Sequence, residues 1–306
     1  MTRATSLLTC AAALCVLSTA AWADTTTDDK TYELRYQFKP GETIRWRVVH
    51  LSKVKTTVAG TTQTAESVSK SLKAWKVTDV TDTGTATFQH MVEEVDMRSK
   101  LTGRQEVTYN SRTDDEAPVG YESMAESVGV VLSVVTIDPW GKVISRKDQK
   151  QSTVTPNKGQ ITMPLPKDPV KVGETWSFPH DIVVPGNDGT VHKINARQKF
   201  TLASVKNGVA SIEMVTVILT PVRDPAVEAQ VIQQQSQGTV RFDIAAGRVL
   251  GQQMDLDKRV VGFAGKTDTS SLHYITRFTE DLVIGTETVA NADAKTTAAK
   301  KAEALK

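Results

Sequence analysis

The chain has 306 residues, with 37 lysines and arginines against 35 aspartates and glutamates. A formal net charge of +2 provides no field for attracting nucleic acid or an acidic membrane surface. Both cysteines, Cys10 and Cys15, lie within the first 23 residues, so the rest of the chain has no disulfide, thiolate nucleophile or cysteine metal site. Stability must come from an ordinary apolar core, for which the chain is long enough.

Residues 1–23 have the pattern of a secretory signal peptide. Arg3 supplies the positive charge, Ser6 to Leu17 is an apolar stretch too short to span a bilayer, and Ala21-Trp22-Ala23 is a small-x-small cleavage site. We expect cleavage after Ala23 and export to the periplasm or the extracellular space. Lipidation is the alternative, but Cys15 has a poor match to a lipoprotein cleavage site. No later segment is apolar enough to span a membrane.

After a polar leader at 24–30, residues 31–150 alternate between apolar and polar side chains, as half-buried strands do. Ile44, Trp46 and Val48, for example, share one face of a predicted strand. Turn residues predict three hairpins, at Ala59-Gly60, at Asp82-Thr83-Gly84 and at Pro139 to Gly141. We therefore predict a first β half over 31–150.

A polar, turn-rich stretch from Val95 to Val130 interrupts this pattern. It contains a possible short helix after Pro118, with Tyr121, Met124 and Val128 on one face. Because loops on a rigid scaffold often carry binding residues, this insertion is predicted to be mobile or functional.

Residues 151–169 contain four prolines, which exclude a long helix or a central strand. The sequence predicts an extended connector there. Residues 170–285 form a second predicted β half, and within it Asp224 caps a predicted helix that runs to Gln235. The Ala-, Thr- and Lys-rich tail, 286–306, has almost nothing to bury and is predicted to be disordered.

Three sequence blocks of the first half recur in the same order in the second half. "KPGETIRW" at Lys39 matches "KVGETWSF" at Lys171, "AWKVTDVTDTGTATF" matches "KFTLASVKNGVASI", and "TIDPWGKVI" matches "RFDIAAGRVL". The alignment places Trp75 on Phe200 and Gly141 on Gly247. This order predicts an internal duplication, with mainly β architecture, two similar curved antiparallel halves and one or two short helices.

The sequence contains no recognisable catalytic or metal-binding motif. Its five histidines, His50, His90, His180, His192 and His273, have no spacing that places two imidazoles together. No nucleophile elbow, phosphate loop or dinucleotide fingerprint is present. We expect no catalytic residue, no metal and no cofactor, although a site assembled from distant positions is not excluded by spacing.

Two further groups of residues have competing interpretations. The acidic cluster Glu93, Glu94 and Asp96 would suit acid–base or cation chemistry, but is better explained as a solvated strand face paired with basic neighbours. Trp46, Trp75 and Trp176 lie in phase with the apolar faces of their strands, which indicates core packing. Trp140 lies in a turn, where it would either be an exposed contact residue or pack over the hairpin.

Taken together behind a signal peptide, "YQFKPGETIRWRV", "KAWKVTDVTDTGTATFQHMVEEVDM", "TIDPWGKV" and "PVKVGETWSF" resemble an uncharacterised family of exported bacterial proteins, a domain-of-unknown-function family. The resemblance covers most of the chain after residue 23 and implies no activity or site residues. The predicted architecture is also loosely similar to the half-barrels of periplasmic lipoprotein carriers. This similarity is one of fold and implies no function.

These observations favour an exported, non-enzymatic envelope protein that binds a partner protein or an apolar small molecule. One alternative is a hydrolase whose site is assembled between the two halves. Another is a structural component of the envelope. The ligand, the partner and the oligomeric state are left open.

Overall fold

The computed structural model describes residues 30–149, 161–185, 191–265 and 269–284. The predicted signal peptide, the leader up to residue 29, connector residues 151–160 and the tail lie outside these ranges. Within them, no helix combines the length and the apolar character needed to cross a membrane.

The fold is mainly β, as predicted. In the first half the strands are β1 Thr31–Tyr32, β2 Thr43–Val58, β3 Thr61–Val80, β4 Ala86–Leu101, β5 Val107–Asn110, β6 Val131–Ile137 and β7 Val143–Asp148. In the second half they are β8 Val170–Lys171, β9 Thr175–Pro179, β10 Ile182–Pro185, β11 Val191–Ile194, β12 Ala196–Lys206, β13 Val209–Ile218, β14 Gln237–Asp243, β15 Arg248–Val261 and β16 Ser271–Leu282. The helices are α1 Glu122–Ala125 and α2 Pro225–Val231, and α2 continues into the 3-10 turn Ile232–Gln234.

Twelve strands form one antiparallel sheet in the order β7-β6-β4-β3-β2-β16-β15-β14-β13-β12-β9, with β5 beside β4. Each half contributes a five-stranded meander, β2-β3-β4-β6-β7 or β9-β12-β13-β14-β15. The last strand, β16, pairs with β15 on one side and with β2 on the other. It therefore joins the two meanders into one sheet.

The two meanders share part of their strand register, although the first has two further shifts, between Leu72 and Lys73 and between His90 and Met91. Trp75 lies opposite His90 as Phe200 lies opposite Met214, in agreement with the sequence alignment of Trp75 with Phe200. The register shifts after Val77 in β3 and after Leu202 in β12, which the alignment also makes equivalent. A second matching shift lies between β6 and β7 in one half and between β14 and β15 in the other. Because a bulge changes strand direction and twist locally, equal bulges give the two halves similar local geometry.

The repeated Gly-Glu-Thr phrase forms the same turn in both halves. Gly41 and Gly173 have positive φ angles, 81° and 89°, which glycine adopts without strain. The carboxylate of Glu42 accepts a hydrogen bond from the Lys39 amide at 2.8 Å, and Glu174 accepts one at 2.8 Å from the amide three residues before it. Each glycine amide also donates to a carbonyl of the next meander strand. The phrase therefore starts a strand and is not itself a binding site.

The largest apolar core cluster of each half contacts the chain that enters β2, and smaller clusters lie around α2 in the second half. Phe38 packs 6.4 Å from Phe88 of the first core, and Tyr36 packs 5.6 Å edge-on to Phe242 of the second. The backbone of this segment donates to Pro139 in one half and to Gly247 in the other. Burial of aromatic side chains against both cores holds the halves together.

The described part of the predicted connector is built into the core. Leu165 is 1% exposed and Thr162 is 5% exposed. The Tyr36 hydroxyl donates to the Met163 carbonyl at 3.0 Å, and burial raises the pKa of that phenol. Residues 161–166 are irregular in backbone, as their prolines require, but they are buried or half-buried, whereas residues 167–169 are exposed.

The stretch from Val95 to Val130 differs from its prediction. Val95 to Leu101 continues β4, and β5 folds back to pair with it. Tyr109 is buried and stacks on Tyr121 with ring centroids 6.2 Å apart. The helix here is a single turn without buried residues, whereas α2 has the predicted Asp224 cap, which accepts from the Ala226 amide at 2.8 Å.

Candidate functional site

The inner face of the sheet lines a cavity of about 610 Å³ that is open to solvent on one side and has side chains from both halves in its walls. His90 on β4 and Phe200 on β12 both line it, although seven strand spacings separate these strands in the sheet. A flat sheet would place the strands about 33 Å apart. The sheet is therefore curved, and its two halves face each other across the cavity.

The wall from the second half contains an apolar patch, formed by Phe200, Met214, Val240, Met254 and Leu256. Polar side chains line the rest of this wall: Gln198, Gln233, Gln235, Ser236, Gln252 and Asp255. Alternation along β12 to β15 places the side chains of the apolar patch inward and their polar neighbours outward, because successive residues of a strand point to opposite faces. Phe278 of the joining strand extends the apolar surface.

The wall from the first half is mainly polar or charged. His50, Ser71, Lys73, His90 and Arg146 line it, together with Val48 and Val92. The sequence analysis treated the histidines only as possible metal ligands and did not single out Lys73 or Arg146. The signal was present: Lys73 lies two residues before the buried Trp75 and so belongs to the inward face of β3.

A buried ion pair closes one side of the cavity. The Lys73 ammonium contacts the carboxylate of Glu280, whose side chain is 6% exposed. The second oxygen of Glu280 accepts from the Gln252 amide at 2.7 Å. The ammonium also lies 4.8 Å from the ring centroid of Trp46 and 5.0 Å from that of Trp75, within range of cation–π attraction. Charges at this depth are tolerated only because they are paired and hydrogen-bonded.

His90 is the second unusual group in the lining. Its Nδ1 atom is buried and has no hydrogen-bond partner in the part of the chain that the structure describes. Burial, reinforced by the positive charges of Lys73 and Arg146, lowers the pKa of His90 to about 4. The imidazole is therefore neutral at ordinary pH, in a region where cations dominate.

The other histidines do not form a site with His90. His50 also lines the cavity, where its Nε2 lies 2.7 Å from the Thr276 hydroxyl and burial lowers its pKa. Burial also lowers the pKa of His180, whereas His273 pairs with Asp257 at 2.6 Å on the outer face. Across residues 30–149, 161–185, 191–265 and 269–284, no group of three or more potential ligands could hold a metal ion.

The acidic cluster is the paired strand face favoured by the sequence. Glu93 receives two hydrogen bonds from the Arg45 guanidinium, at 2.7 and 2.9 Å. Glu94 lies 3.6 Å from Arg112, and the carboxylate of Asp96 lies 3.3 Å from Lys70. Each carboxylate is neutralised by a different cation, so the three do not converge on one position.

The tryptophans also follow the packing interpretation. Trp46 and Trp75 are 2% and 4% exposed, and Trp176 stacks on Phe200 at 5.7 Å. Trp140 packs over the hairpin and is only partly exposed. Its ring lies between two cations, Arg35 at 5.8 Å and Lys167 at 5.5 Å.

Neighbouring strands of the first half place a histidine, a serine and an aspartate in one row, a combination that the hydrolase alternative could use. Ser133 on β6 lies directly opposite His90 on β4, and Asp148 lies opposite Ser133 on β7. However, Ser133 is 0% exposed and its hydroxyl makes no hydrogen bond to His90. A nucleophile must reach the substrate and be activated by a base, and this serine does neither.

A depression of about 800 Å³ on the outer surface is less suited to a ligand. Its rim includes Lys53, which pairs with Glu66 at 2.8 Å, and Arg277, which pairs with Asp255 at 2.6 Å. These charges are satisfied by each other in an exposed setting. The inner cavity, by contrast, combines apolar walls with buried polar groups, the usual composition of a small-molecule site.

No protein-family model and no curated protein matches the chain. Among solved structures, the chain is similar to one described as "Lipid-protein interactions in lipovitellin", with a TM-score of 0.43 and 11% sequence identity. The match covers 81% of this chain and 26% of that one, so the chain spans about a quarter of the length of that protein.

Proposed function

We propose that the chain is an exported, non-enzymatic protein that binds an apolar or amphipathic small molecule in the inner cavity. The observation that carries the proposal is the cavity itself, about 610 Å³ between the facing halves of one sheet. This volume falls in the range of about 300–1,000 Å³ that is typical of small-molecule sites.

The composition of the walls supports binding over a purely structural role. The space is open to solvent, so the apolar side chains in its walls are not covered by other parts of the described chain. Phe200, Met214 and Met254 present apolar surface to this space, and methionine adapts its shape to different ligands.

The predicted internal duplication is part of the proposal. The shared part of the register and the matching bulges in the two meanders support it, as do the matching Gly-Glu-Thr turns. Two similar curved units joined by β16 would enclose a cavity where their inner faces meet. Cleavage after Ala23 and membership of the exported bacterial family are also part of the proposal. Both are predictions that rest on the sequence alone.

The test is binding of N-phenyl-1-naphthylamine, an uncharged probe that fluoresces in apolar surroundings, to the chain from residue 24 onward. We expect saturable binding that Ser71→Trp abolishes, because Ser71 lines the cavity and a large ring there would fill it. The matched control is Thr239→Trp. This is a similarly large change at an exposed position of β14, on the face opposite to that of the cavity-lining Val240.

Circular dichroism of both variants shows whether they fold. Saturable binding that survives in a folded Ser71→Trp variant would place the probe elsewhere and overturn the cavity assignment. Absence of binding by the unmodified chain, with native mass spectrometry showing no copurified lipid, would favour the structural alternative.

A further inference from the structure

Three hairpin turns meet at one end of the sheet: the β2–β3 turn, the β4–β5 turn and the β15–β16 turn. Ala65 near the start of β3 pairs with Leu101 at the end of β4. Thr57 near the end of β2 pairs with Ser271, which pairs in turn with Val261 at the end of β15. The strand pairing therefore brings together three stretches that are far apart in the sequence.

This end of the sheet, which we call the basic end, carries more cations than anions. Its described residues are 53–67, 98–108, 257–265 and 269–274. They include seven lysines and arginines against three acidic residues, a formal charge of +4, whereas the whole chain is +2. Lys53 pairs with Glu66 at 2.8 Å. Arg98 lies 3.8 Å from Glu106. The other five cations are exposed and make no ion pair with any described residue: Lys55, Lys100, Arg104, Lys258 and Arg259.

A net charge near zero predicts no attractive field, but the folded chain separates its charges. Residues 111–128 contain five acidic residues and one basic residue. This acidic stretch begins beside Asp96 and ends beside Val92, in the middle of β4. Asp96 lies five residues before Leu101, which is about 17 Å along an extended strand. Because the Debye length is about 8 Å at physiological ionic strength, the acidic stretch does not cancel the field at the basic end.

The basic end also exposes two valines. Val58 and Val261 are the last residues of β2 and β15, and they are 39% and 65% exposed. Only β16 lies between these two strands, so the valines are about 10 Å apart across the sheet. Lys55 and Lys258 each precede one of the valines by three residues. Apolar side chains flanked by cations are typical of surfaces that bind the head-group region of a membrane.

We infer that the basic end docks on the surface of a bilayer that contains anionic lipids. The two valines enter the head-group region, and the five exposed cations lie against the lipid phosphates. A lysine or arginine close to such a surface strengthens binding about fivefold. Docking involves the end of the sheet and not the cavity, so it can be tested independently of the proposed function.

The experiment measures cosedimentation of the chain from residue 24 onward with phosphatidylcholine vesicles, with and without about 30% phosphatidylglycerol. We expect binding to the anionic vesicles to be at least about tenfold tighter than to the neutral ones. This preference should decline as the NaCl concentration rises from about 0.05 to 0.5 M, because salt screens the cations.

A pair of lysine variants tests whether the basic end is the contact surface. Lys55→Gln/Lys258→Gln removes two charges beside the valines and should weaken binding to the anionic vesicles about 10- to 25-fold. The matched control is Lys142→Gln/Lys206→Gln, the same change of charge at exposed positions on the opposite end of the sheet. The control should bind as the unmodified chain does.

A valine variant separates a bilayer from a soluble polyanion. Val58→Ser/Val261→Ser keeps every charge but removes apolar surface, and it should weaken binding to the anionic vesicles at least about threefold. A polyanion such as heparin gains nothing from apolar side chains. If the lysine variant loses affinity and the valine variant does not, the partner is a polyanion and the bilayer is excluded.

Two other results would overturn the inference. One is equal affinity of the unmodified chain for the two kinds of vesicle. The other is an equal loss of binding in the lysine variant and in its opposite-end control, because the contact would then depend on overall charge and not on this surface. Circular dichroism shows that each variant is folded, which the exposure of all six substituted positions favours.

Discussion

Removing one partner of the buried ion pair tests whether the centre of the sheet is organised as described. Lys73→Met keeps an unbranched side chain but deletes the ammonium, so the Glu280 carboxylate is left with Gln252 as its described hydrogen-bond donor. The side chains of Lys73 and Glu280 are only 17% and 6% exposed, so water compensates little.

A broken buried ion pair costs about 3–5 kcal/mol, because an uncompensated charge remains inside. The partial exposure of Lys73 argues for the lower end, and lost cation–π attraction to Trp46 and Trp75 adds about 0.5–2 kcal/mol. We therefore expect a loss of about 3.5–5 kcal/mol. In Lys73→Met/Glu280→Leu no charge remains, and most of the loss should be recovered, leaving about 1 kcal/mol for the unpaired Gln252.

The free energy of unfolding is measured by urea titration, followed by circular dichroism so that altered tryptophan fluorescence does not interfere. Arg241→Met provides the control, because its ion pair with Asp281 is exposed and should contribute at most about 1 kcal/mol. A loss below about 1 kcal/mol for Lys73→Met, or a double variant no more stable than the single one, would refute the argument.

Three further predictions concern the fold around the cavity. Gly141→Ala should lower the free energy of unfolding by about 3 kcal/mol in urea titration, because its Cβ would lie 2.7 Å from the Met163 carbonyl oxygen. Gly60→Ala is the control: Gly60 has a similar φ but open space around it, so the loss there should be about 1–2 kcal/mol. Leu165→Ala should cost about 2–5 kcal/mol if the connector is core, and a cost near zero would show that it is solvated. Because the pKa of His90 is about 4 when folded, the unfolded chain binds its proton more readily, so stability should fall by up to about 3 kcal/mol as pH drops from about 6.5 to 4. His90→Phe should lose that part of the acid sensitivity, and an unchanged pH profile would contradict the assignment.

The strands and hairpins were predictable because alternation and turn residues are local signals. The turn at Ala59-Gly60 lies between β2 and β3 as expected, with φ angles of 47° and 79°. The Asp224 cap and the following proline likewise placed α2 correctly. Each of these depends on a few adjacent residues, whose conformational preferences act without tertiary context.

The cavity was not predictable, because it depends on contacts between residues far apart in sequence. Glu280 meets Lys73 only because β16 inserts between β2 and β15, and no local pattern indicates that pairing. The burial of part of the connector was not predictable for the same reason. Its prolines exclude regular structure, as predicted, but they say nothing about whether Leu165 is buried.

The sequence pointed to the Val95–Val130 stretch and to the groove between the halves as the places to look for function, and the difference at the groove is the more informative one. The second half shows that Gln198 and Met214 fit positions equivalent to Lys73 and His90. The backbone therefore does not require a cation or an imidazole there, and an inward charge costs desolvation that a neutral side chain avoids. Lys73 is explained by its own partners, Glu280 and the rings of Trp46 and Trp75. His90 is not, because its buried Nδ1 has no hydrogen-bond partner among the described residues.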